Sequence, residues 1–320
     1  MGVLHVIFKK SVSRSMRLQA LANVFCAVYM LTVTFIVTYV SFFHIVPGCY
    51  STTAVFWHRL AIWYIFIGAI GNYITCIATK TGIKKIPTIT DSTSLQNGGQ
   101  KTASEVKESK TSKAHRNGRE SAVPVSRRGR ERFCLPCDMQ VPVRSHHCYL
   151  CEECIVKRDH HCFFMGVCIG RENHIYFIYF TLFMGIGTFY GLLLLAKYLN
   201  YLYHIQFQGP QTFLVLFFNT LIGLFRGQLP TYRFMGLFVL LYVSLAAMMV
   251  AFGFFAWQMM IVLKGQTTFE AKFGITRYSK GSYFANFRQV FNTRSLVSLL
   301  LPLWDLATET NYCRIGSKFD

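Results

Sequence analysis

Long apolar stretches, almost free of charge, alternate with polar and basic ones along this chain. Four of them reach the length that a helix needs to cross the hydrocarbon layer of a membrane, about 20 residues. They lie at residues 18–47, 54–79, 174–203 and 234–263. Core helices of soluble proteins are usually shorter than this. The pattern therefore predicts an all-α polytopic membrane protein with four transmembrane helices.

The distribution of charge sets the orientation of these helices. The chain is 52% hydrophobic and yet carries a net charge of +19, so apolar and basic residues have to be segregated. Lys and Arg number four in residues 1–17, seventeen in 80–173 and eight in 264–320, against none in 44–56 and three in 197–233. Because Lys and Arg accumulate in cytoplasmic loops, both termini and the loop between the second and third helices are predicted to be cytosolic.

Two further apolar stretches are shorter. Residues 212–225 are only fourteen long, and counting them as a fifth span would place the basic C-terminal region in the lumen. We expect them to form a luminal interfacial or re-entrant helix. Residues 295–304 are interrupted by Pro302, and we expect them to lie on the membrane surface.

The basic excess could also indicate a nucleic-acid partner. Basic segments that bind single strands are interleaved with stacking aromatic residues, and no basic stretch here has that composition. We therefore expect no nucleic acid, and a bilayer surface rich in anionic lipid as the partner. Residues 80–132 are polar, basic and poor in large apolar side chains, which predicts a disordered cytosolic linker.

Residues 134–168 hold seven of the eleven cysteines and four of the ten histidines. Three Cys-x2-Cys steps, two His-Cys pairs and a closing Cys within 35 residues are a strong signal for bound zinc. Because the ligands have to be thiolates, the cluster is expected to face the reducing cytosol. Structural zinc takes four ligands per ion, so two ions use eight of the eleven candidates and leave three over.

The centre of this cluster is the sequence Asp159, His160, His161, Cys162. A thiol becomes a nucleophile when a neighbouring base favours its thiolate, and a carboxylate fixes the tautomer of an imidazole. If His161 binds zinc, His160 can act on Cys162 with Asp159 orienting it. Two other interpretations stay open at this point: a purely structural zinc module for protein contacts, and a zinc-dependent ubiquitin ligase. Neither of them needs an unused thiol.

At these residues the sequence resembles the DHHC cysteine-rich-domain family of integral-membrane protein S-acyltransferases, the palmitoyltransferases. Every Cys and His of the family pattern is present from Cys134 to Cys168. The TTxE motif of the family is matched by Thr267, Thr268 and Glu270. The C-terminal region resembles the family's C-terminal motif through Asn286 and the flanking aromatic residues Tyr278, Tyr283 and Phe291.

The resemblance implies two interleaved structural Zn²⁺ sites. One would take Cys134, Cys137, His147 and Cys154, and the other Cys148, Cys151, His161 and Cys168. The resemblance also implies that a long-chain acyl-CoA acylates Cys162, with His160 as the base and Asp159, hydrogen-bonded by Thr268, as its orienting partner. The acyl group would then pass to cysteines of membrane-associated or cytosolic proteins. A catalytically weak or inactive zinc-containing membrane scaffold of the same family is the alternative.

The sequence departs from the family directly after Cys162. The usual Pro-Trp is replaced by Phe163–Phe164, and the usual Asn pair by Gly166–Val167. Phe164 keeps an aromatic ring near the membrane face, and with Gly187 of the third span it is a candidate for the wall of an acyl-chain cavity. Glycines in a span also permit close helix packing, which is the alternative for Gly187.

Three cations of the cluster are candidates for contacts with the phosphates of CoA. They are Arg144, Lys157 and Arg158. Contact with lipid headgroups would account for them equally well.

These predictions divide the chain into six parts. They are a cytosolic tail at 1–17, two transmembrane helices in 18–79, the linker at 80–132, a zinc-binding catalytic domain at 133–173, two transmembrane helices with a luminal loop in 174–263, and a cytosolic tail with the TTxE motif at 264–320. We expect an integral multi-pass protein of the endomembrane system, in the endoplasmic reticulum or the Golgi.

Overall fold

The structure, a computed structural model, describes residues 2–83, 131–291 and 299 of the chain. Most of the predicted linker lies outside the described residues. So does the apolar stretch at 295–304, apart from residue 299.

Four helices correspond to the predicted spans. The first, α1 (Gly2–Val40), continues through a π-helical turn (Ser41–Ile45) into α2 (Val46–Cys49). The others are α3 (Thr52–Ala78), α4 (His174–Tyr203) and α6 (Tyr232–Lys264). All four are long and apolar enough to cross a membrane, the first of them over Leu18–Cys49. The prediction of four membrane helices is confirmed.

The fifth apolar stretch forms α5 (Pro210–Phe225), a helix of 16 residues between α4 and α6. None of its side chains is buried. It is attached to α6 by a hydrogen bond from the Tyr242 hydroxyl to the Phe213 carbonyl, 2.6 Å long. Its length falls short of the roughly 20 residues that a span needs.

Between α3 and α4 the chain forms three short antiparallel hairpins. The first pairs β1 (Glu131–Cys134) with β2 (Met139–Pro142), the second β3 (His146–Cys148) with β4 (Glu153–Ile155), and the third β5 (His160–Cys162) with β6 (Val167–Ile169). The predicted helical membrane fold, with a cysteine-rich domain between the second and third helices, is confirmed. Within the cysteine-rich domain, the structure shows the three hairpins, which were not predicted from the sequence.

The three hairpins repeat at an interval of 14 residues. In each of them a cysteine ends the first strand: Cys134, Cys148 and Cys162. Four residues later each turn contains a residue with positive φ: Asp138 at 50°, Glu152 at 57° and Gly166 at 69°. Glycine adopts this left-handed conformation without the steric cost of a Cβ atom. Gly166 therefore suits the third turn, where the family usually has Asn.

Hydrogen bonds join the cysteine-rich domain to the ends of the helices. The buried amide of Asn173 donates to the carbonyls of Cys76 at 3.2 Å and Cys168 at 3.0 Å, which links the end of α3 to the last strand. The Ile83 amide donates to the Cys154 carbonyl at 2.8 Å. Residues 83 and 131–132, which lie in the predicted linker, thus pair with backbone of the cysteine-rich domain.

Apolar packing continues from the membrane helices into the third hairpin. One buried cluster contains Ala69, Tyr73, Cys76, Cys162, Met165, Ile169, Phe177, Phe180 and Phe183. Cys162 itself is 5% exposed. The third hairpin is therefore set into the ends of α3 and α4, and Cys162 lies at the boundary between the domain and the spans.

Two short helices follow α6 and pack against its end. The first, α7 (Thr268–Lys272), begins with a capping box in which the Glu270 carboxylate accepts from the Thr267 amide at 2.9 Å. The second, α8 (Tyr283–Phe287), contains Asn286, which donates to the Leu263 carbonyl at 2.9 Å. These bonds cap the start of α7 and hold the C-terminal motif against the end of α6.

Candidate active site

Eight side chains of the hairpins converge in two groups of four. They are Cys134, Cys137, His147 and Cys154 in the first group, and Cys148, Cys151, His161 and Cys168 in the second. The four ligand atoms of each group lie within 4.8 Å of one another. The first group joins the first and second hairpins, and the second group joins the second and third. These are the two quartets that the resemblance implies.

The spacing of the ligand atoms suits a tetrahedral metal site. Nδ1 of His161 lies 3.4 Å from Sγ of Cys151 and 3.7 Å from Sγ of both Cys148 and Cys168. Zn–S bonds of about 2.3 Å and Zn–N bonds of about 2.0 Å separate tetrahedral ligand atoms by roughly 3.5–3.8 Å. Three thiolates and one imidazole are also a donor set typical of structural zinc. Both groups therefore fit Zn²⁺.

The contact between Asn23 and Nε2 of His161 is also consistent with a metal ion bound at Nδ1 of His161. Nδ2 of Asn23, in α1, lies 3.3 Å from Nε2 of His161, and Oδ1 of Asn23 is buried without a hydrogen-bond partner among the described residues. A metal at Nδ1 leaves the ring proton on Nε2, which then needs an acceptor. Rotating the Asn23 amide by half a turn brings Oδ1 to that proton and satisfies both groups.

Arg158 lies against the second group. Its guanidinium is 3.8 Å from Sγ of Cys148. Three thiolates and one Zn²⁺ leave a net charge of about −1 on such a site. The positive charge of Arg158 would offset this, so its contact with Cys148 favours a structural role over contact with CoA.

Beside the second group, a chain of hydrogen bonds leads through Asp159 to His160, next to Cys162. Nδ1 of His160 is 2.7 Å from Oδ2 of Asp159, and the Cys162 thiol lies close enough to this imidazole to raise its pKa. Thr268 donates to Asp159 twice, from its amide to Oδ1 at 2.6 Å and from its hydroxyl to Oδ2 at 2.9 Å. Carboxylate, imidazole and thiol thus stand in the order that an activated cysteine nucleophile requires.

Burial and hydrogen bonding have opposite effects on the first two of these groups. Burial alone would raise the pKa of Asp159, but hydrogen bonds from His160 and the Thr268 amide outweigh it and hold the pKa well below its usual range. Burial lowers the pKa of His160, whereas its hydrogen bonds to Asp159 and Cys162 raise it, to about 9. The charged carboxylate keeps the proton of His160 on Nδ1, which leaves Nε2 for the thiol.

Two residues of α6 that sequence reasoning did not single out also reach this chain. The indole N–H of Trp257 donates to the Thr268 hydroxyl at 3.1 Å, and Nε2 of Gln258 donates to Oδ2 of Asp159 at 3.1 Å. Gln258 could have been singled out from the sequence by its position within an apolar span, because a buried amide there needs a hydrogen-bond partner.

An ion pair fixes the TTxE motif to the cysteine-rich domain. Nε and a terminal nitrogen of Arg144 lie 2.7 and 2.6 Å from the two carboxylate oxygens of Glu270. The same guanidinium donates to the Gly265 carbonyl at 3.1 Å and stacks 4.7 Å from the ring centre of Tyr278. Glu270 is 2% exposed, so the pair is sheltered from water.

Glu270→Gln is expected to destabilise the protein strongly, because it leaves the buried charge of Arg144 without a counterion. Removing one partner of a buried pair costs about 3–5 kcal/mol. Thermal unfolding of the detergent-solubilised protein measures the effect. Glu172→Gln is the matched control, since the Arg171–Glu172 pair is 3.5 Å long and exposed, and such pairs contribute about 0–1 kcal/mol. Equal melting temperatures for the two variants would contradict the structural role of Glu270.

The three cations proposed for CoA differ in their surroundings. Arg144 is held by Glu270, and Arg158 lies against Cys148. Lys157 is half-buried, and burial followed by the charge of Arg144 lowers its pKa to about 8. Among the three, Lys157 remains the best candidate for a phosphate contact.

An apolar cavity of about 50 Å³ lies between α1, α3 and α4. Gly187 lines it together with Phe183 and Met184, which also belong to the buried cluster around Cys162. A Cβ atom at Gly187 would meet Cγ2 of Ile65 at 2.9 Å. Gly187 thus serves close packing and borders the cavity as well.

Phe164 is not part of the wall of this cavity. It packs against the cluster around Cys162 and against Phe254, with 6.3 Å between the ring centres, and its carbonyl accepts from the Tyr73 hydroxyl at 3.3 Å. The Gly166 amide donates to the Cys162 carbonyl at 2.8 Å. The turn after Cys162 is therefore closed and packed without the usual Pro-Trp and Asn pairs.

These features define a class: a four-helix membrane protein with a two-site Cys/His domain and a Cys-His-Asp arrangement at its edge. Residues 127–273 match the family model of the DHHC palmitoyltransferases. This match bears out the resemblance seen in the sequence over residues 127–273. The matched residues include both metal-site groups, Asp159 to Cys162, and the TTxE motif.

Curated relatives share part of the chain. Palmitoyltransferase ZDHHC22 of Danio rerio is 36% identical over 128 residues, which are 40% of this chain and 46% of the relative. Palmitoyltransferase ZDHHC22 of Rattus norvegicus is 30% identical over 135 residues, which are 42% of this chain and 51% of the relative. The match thus spans about half the length of these relatives.

Proposed function

We propose that this protein is a protein-cysteine S-palmitoyltransferase. It would transfer a long-chain acyl group from acyl-CoA, through an acyl-Cys162 intermediate, to cysteines of membrane-associated or cytosolic proteins. The observation that carries the proposal is the chain of hydrogen bonds from Thr268 through Asp159 to His160, whose pKa the neighbouring Cys162 thiol raises. The DHHC domain and the relatives that are named palmitoyltransferases support the same activity.

In the first half-reaction, Nε2 of His160 takes the proton of the Cys162 thiol. The thiolate attacks the carbonyl carbon of the acyl-CoA thioester, and the bond from that carbon to the CoA sulfur breaks as the bond to Cys162 forms. The CoA thiolate leaves and takes up the proton from His160. Asp159 holds the proton on Nδ1 throughout, so that Nε2 can accept a proton and return it.

The second half-reaction repeats these steps with a protein thiol. His160 takes the proton of the substrate cysteine, whose thiolate attacks the carbonyl of acyl-Cys162. The bond to Cys162 breaks, and the leaving Cys162 thiolate is protonated by His160. Both halves exchange one thioester for another, so each is close to balanced in free energy and the reaction needs no other co-reactant.

The boundary position of Cys162 suits a substrate that is half lipid. Each acyl CH₂ kept out of water contributes about 0.8 kcal/mol, so the fatty chain would lie among the spans while CoA remains in water. The chain would extend towards the cavity beside Gly187 by displacing Phe183 and Met184. We place the domain and both termini on the cytosolic side of endoplasmic reticulum or Golgi membranes, where acyl-CoA and reduced thiols are present.

The two metal sites would hold structural Zn²⁺. Each ion would cross-link two hairpins, and both quartets are complete without Cys162, His160 or His146. Bound zinc supplies this cross-link, and the proton transfers belong to the chain's own residues.

Incubation of the purified protein with labelled palmitoyl-CoA tests the proposal. We expect label on Cys162 that hydroxylamine removes, release of one CoA per acylated chain, and transfer to an added cysteine-containing peptide. A protein that binds two zinc ions per chain and takes no label would instead be a scaffold.

Asp159→Asn is expected to slow self-acylation by about a hundredfold or more, because the Asn amide cannot hold the proton on Nδ1 of His160. The initial rate of label uptake measures the effect. Asp138→Asn is the matched control, since Asp138 is an exposed residue in the turn of the first hairpin. Equal rates in the two variants would remove Asp159 from the mechanism.

A further inference from the structure

A second polar chain leads to Asp159 from between the membrane helices. Gln258 of α6 is 1% exposed, and His174, the first residue of α4, is 5% exposed. Nε2 of Gln258 lies 3.1 Å from Oδ2 of Asp159, and Oε1 of Gln258 lies 2.5 Å from Nε2 of His174. Neither residue belongs to a metal site or to the TTxE motif.

The chemistry of the three groups determines the direction of each hydrogen bond. A carboxylate only accepts hydrogen bonds, so the Gln258 amide has to turn its NH₂ towards Asp159. Its carbonyl oxygen then faces His174, and this ring must donate from Nε2. His174 thereby fixes the orientation of the Gln258 amide, and Gln258 supplies Asp159 with a donor that cannot rotate away.

We propose that Gln258 and His174 are positioning residues for the Cys162 nucleophile, an inference that rests on the proposed function. Oδ2 of Asp159 receives Thr268 from α7 and Gln258 from α6, and the same oxygen holds Nδ1 of His160. The two donors fix the carboxylate against rotation. Without Gln258, the carboxylate is held by Thr268 alone, and Nε2 of His160 loses part of its alignment with Cys162.

A buried polar side chain in a span carries a desolvation cost, so its presence there indicates a function. An apolar residue at position 258 would fill the same space between α4 and α6 at a lower desolvation cost. The geometry points to Asp159 as the reason for an amide at position 258. The Gln258 amide makes one hydrogen bond to Asp159 and one to His174, and so links that carboxylate to α4.

Three substitutions separate a donor from a space-filling residue. Gln258→Met keeps the size of the side chain and removes the donor, Gln258→Glu keeps the shape and presents an acceptor, and Gln258→His changes the shape but retains a donor. A positioning role predicts the highest activity for His, a lower one for Met and the lowest for Glu. A space-filling role predicts the highest activity for Met.

Two rates are measured on the full-length protein in detergent. One is alkylation of Cys162 by iodoacetamide, followed by mass spectrometry of the peptide, which needs no acyl-CoA. The other is self-acylation over a range of palmitoyl-CoA concentrations. For Gln258→Met we expect the rate constant of alkylation and the maximal rate of self-acylation each to fall roughly tenfold. That change is equivalent to one hydrogen bond to a charged group. The half-saturating concentration of palmitoyl-CoA should not change.

The outcomes distinguish this inference from the proposed function. If the wild type is not acylated but alkylation follows the order His, Met, Glu, the positioning role stands and the acyltransferase proposal fails. If alkylation and acylation of Gln258→Met match the wild type, or Met exceeds His, the positioning role is rejected whatever the activity. Zinc content and melting temperature show that each variant is folded, and Ser244→Ala, at a buried polar site of the same helix, is the control. His174→Phe should lower both rates in the same direction as Gln258→Met.

Discussion

Cys162→Ser is expected to take up no hydroxylamine-sensitive label from palmitoyl-CoA, whereas the wild type takes up one acyl group per chain. The serine hydroxyl is far less acidic than a thiol, so that His160 cannot generate an effective nucleophile from it. Any acyl group on serine would be an oxygen ester, which hydroxylamine at neutral pH cleaves much more slowly than a thioester. The measurement is gel-based or mass-spectrometric detection of the label with and without hydroxylamine.

The variant should keep its fold, because Cys162 belongs to neither metal-site group. Two zinc ions per chain and a wild-type melting temperature are the expected controls. Cys26→Ser, in α1 and outside both metal-site groups, is the matched cysteine substitution and should label like the wild type. Undiminished label in Cys162→Ser would assign the nucleophile to another cysteine.

The membrane helices could be predicted from sequence because one physical constraint dominates them. A span needs about 20 apolar residues and little else, so the four helices follow from composition within a few residues. The starts and ends are less predictable, since they depend on particular hydrogen bonds. Asn173, for example, closes the junction between Cys168 and α4 through a contact with Cys76, 97 positions away.

The metal ligands were predictable as a set, and their pairing followed from the resemblance. The hairpins were missed, although the sequence contains their signal as a repeat of 14 residues. Arg144–Cys148 reads RSHHC, and Arg158–Cys162 reads RDHHC. The third repeat differs from the second in having Asp159 where the second has Ser145. The candidate active site therefore arises from a metal-binding hairpin by one added carboxylate and a cysteine that no metal uses.

The polar contacts from the spans could not be predicted. Asn23 meets His161 from 138 positions away, and Gln258 meets Asp159 from 99 positions away. A single sequence shows that a polar residue lies in a span, which indicates a function, but the identity of its partner depends on how the helices pack. The cavity at Gly187 has the same limitation, because its size depends on the rotamers of Phe183 and Met184.

Removing one proposed zinc ligand from each metal-site group is expected to affect self-acylation unequally. The first site joins the first and second hairpins, and the second site joins the second and third, which carries Cys162. Cys134→Ser should therefore release only the first hairpin, whereas Cys168→Ser should release the hairpin with the nucleophile. Structural zinc contributes about 10–16 kcal/mol to the folding of small domains, so that the loss of either ion is a large perturbation.

For Cys134→Ser we expect one zinc ion per chain, faster proteolysis within the first hairpin and residual self-acylation. For Cys168→Ser we expect one zinc ion per chain and self-acylation below detection. Elemental analysis, limited proteolysis and label uptake measure the three effects, and the first two do not depend on activity. If either variant loses both ions, the two sites fold as one unit, because the second hairpin, which contributes ligands to both, has lost its structure. Equal acylation in the two variants would show that zinc stabilises the domain without positioning its nucleophile. Cys162 would then be held in place by the ends of α3 and α4, and by Gln258 and Thr268 around Asp159.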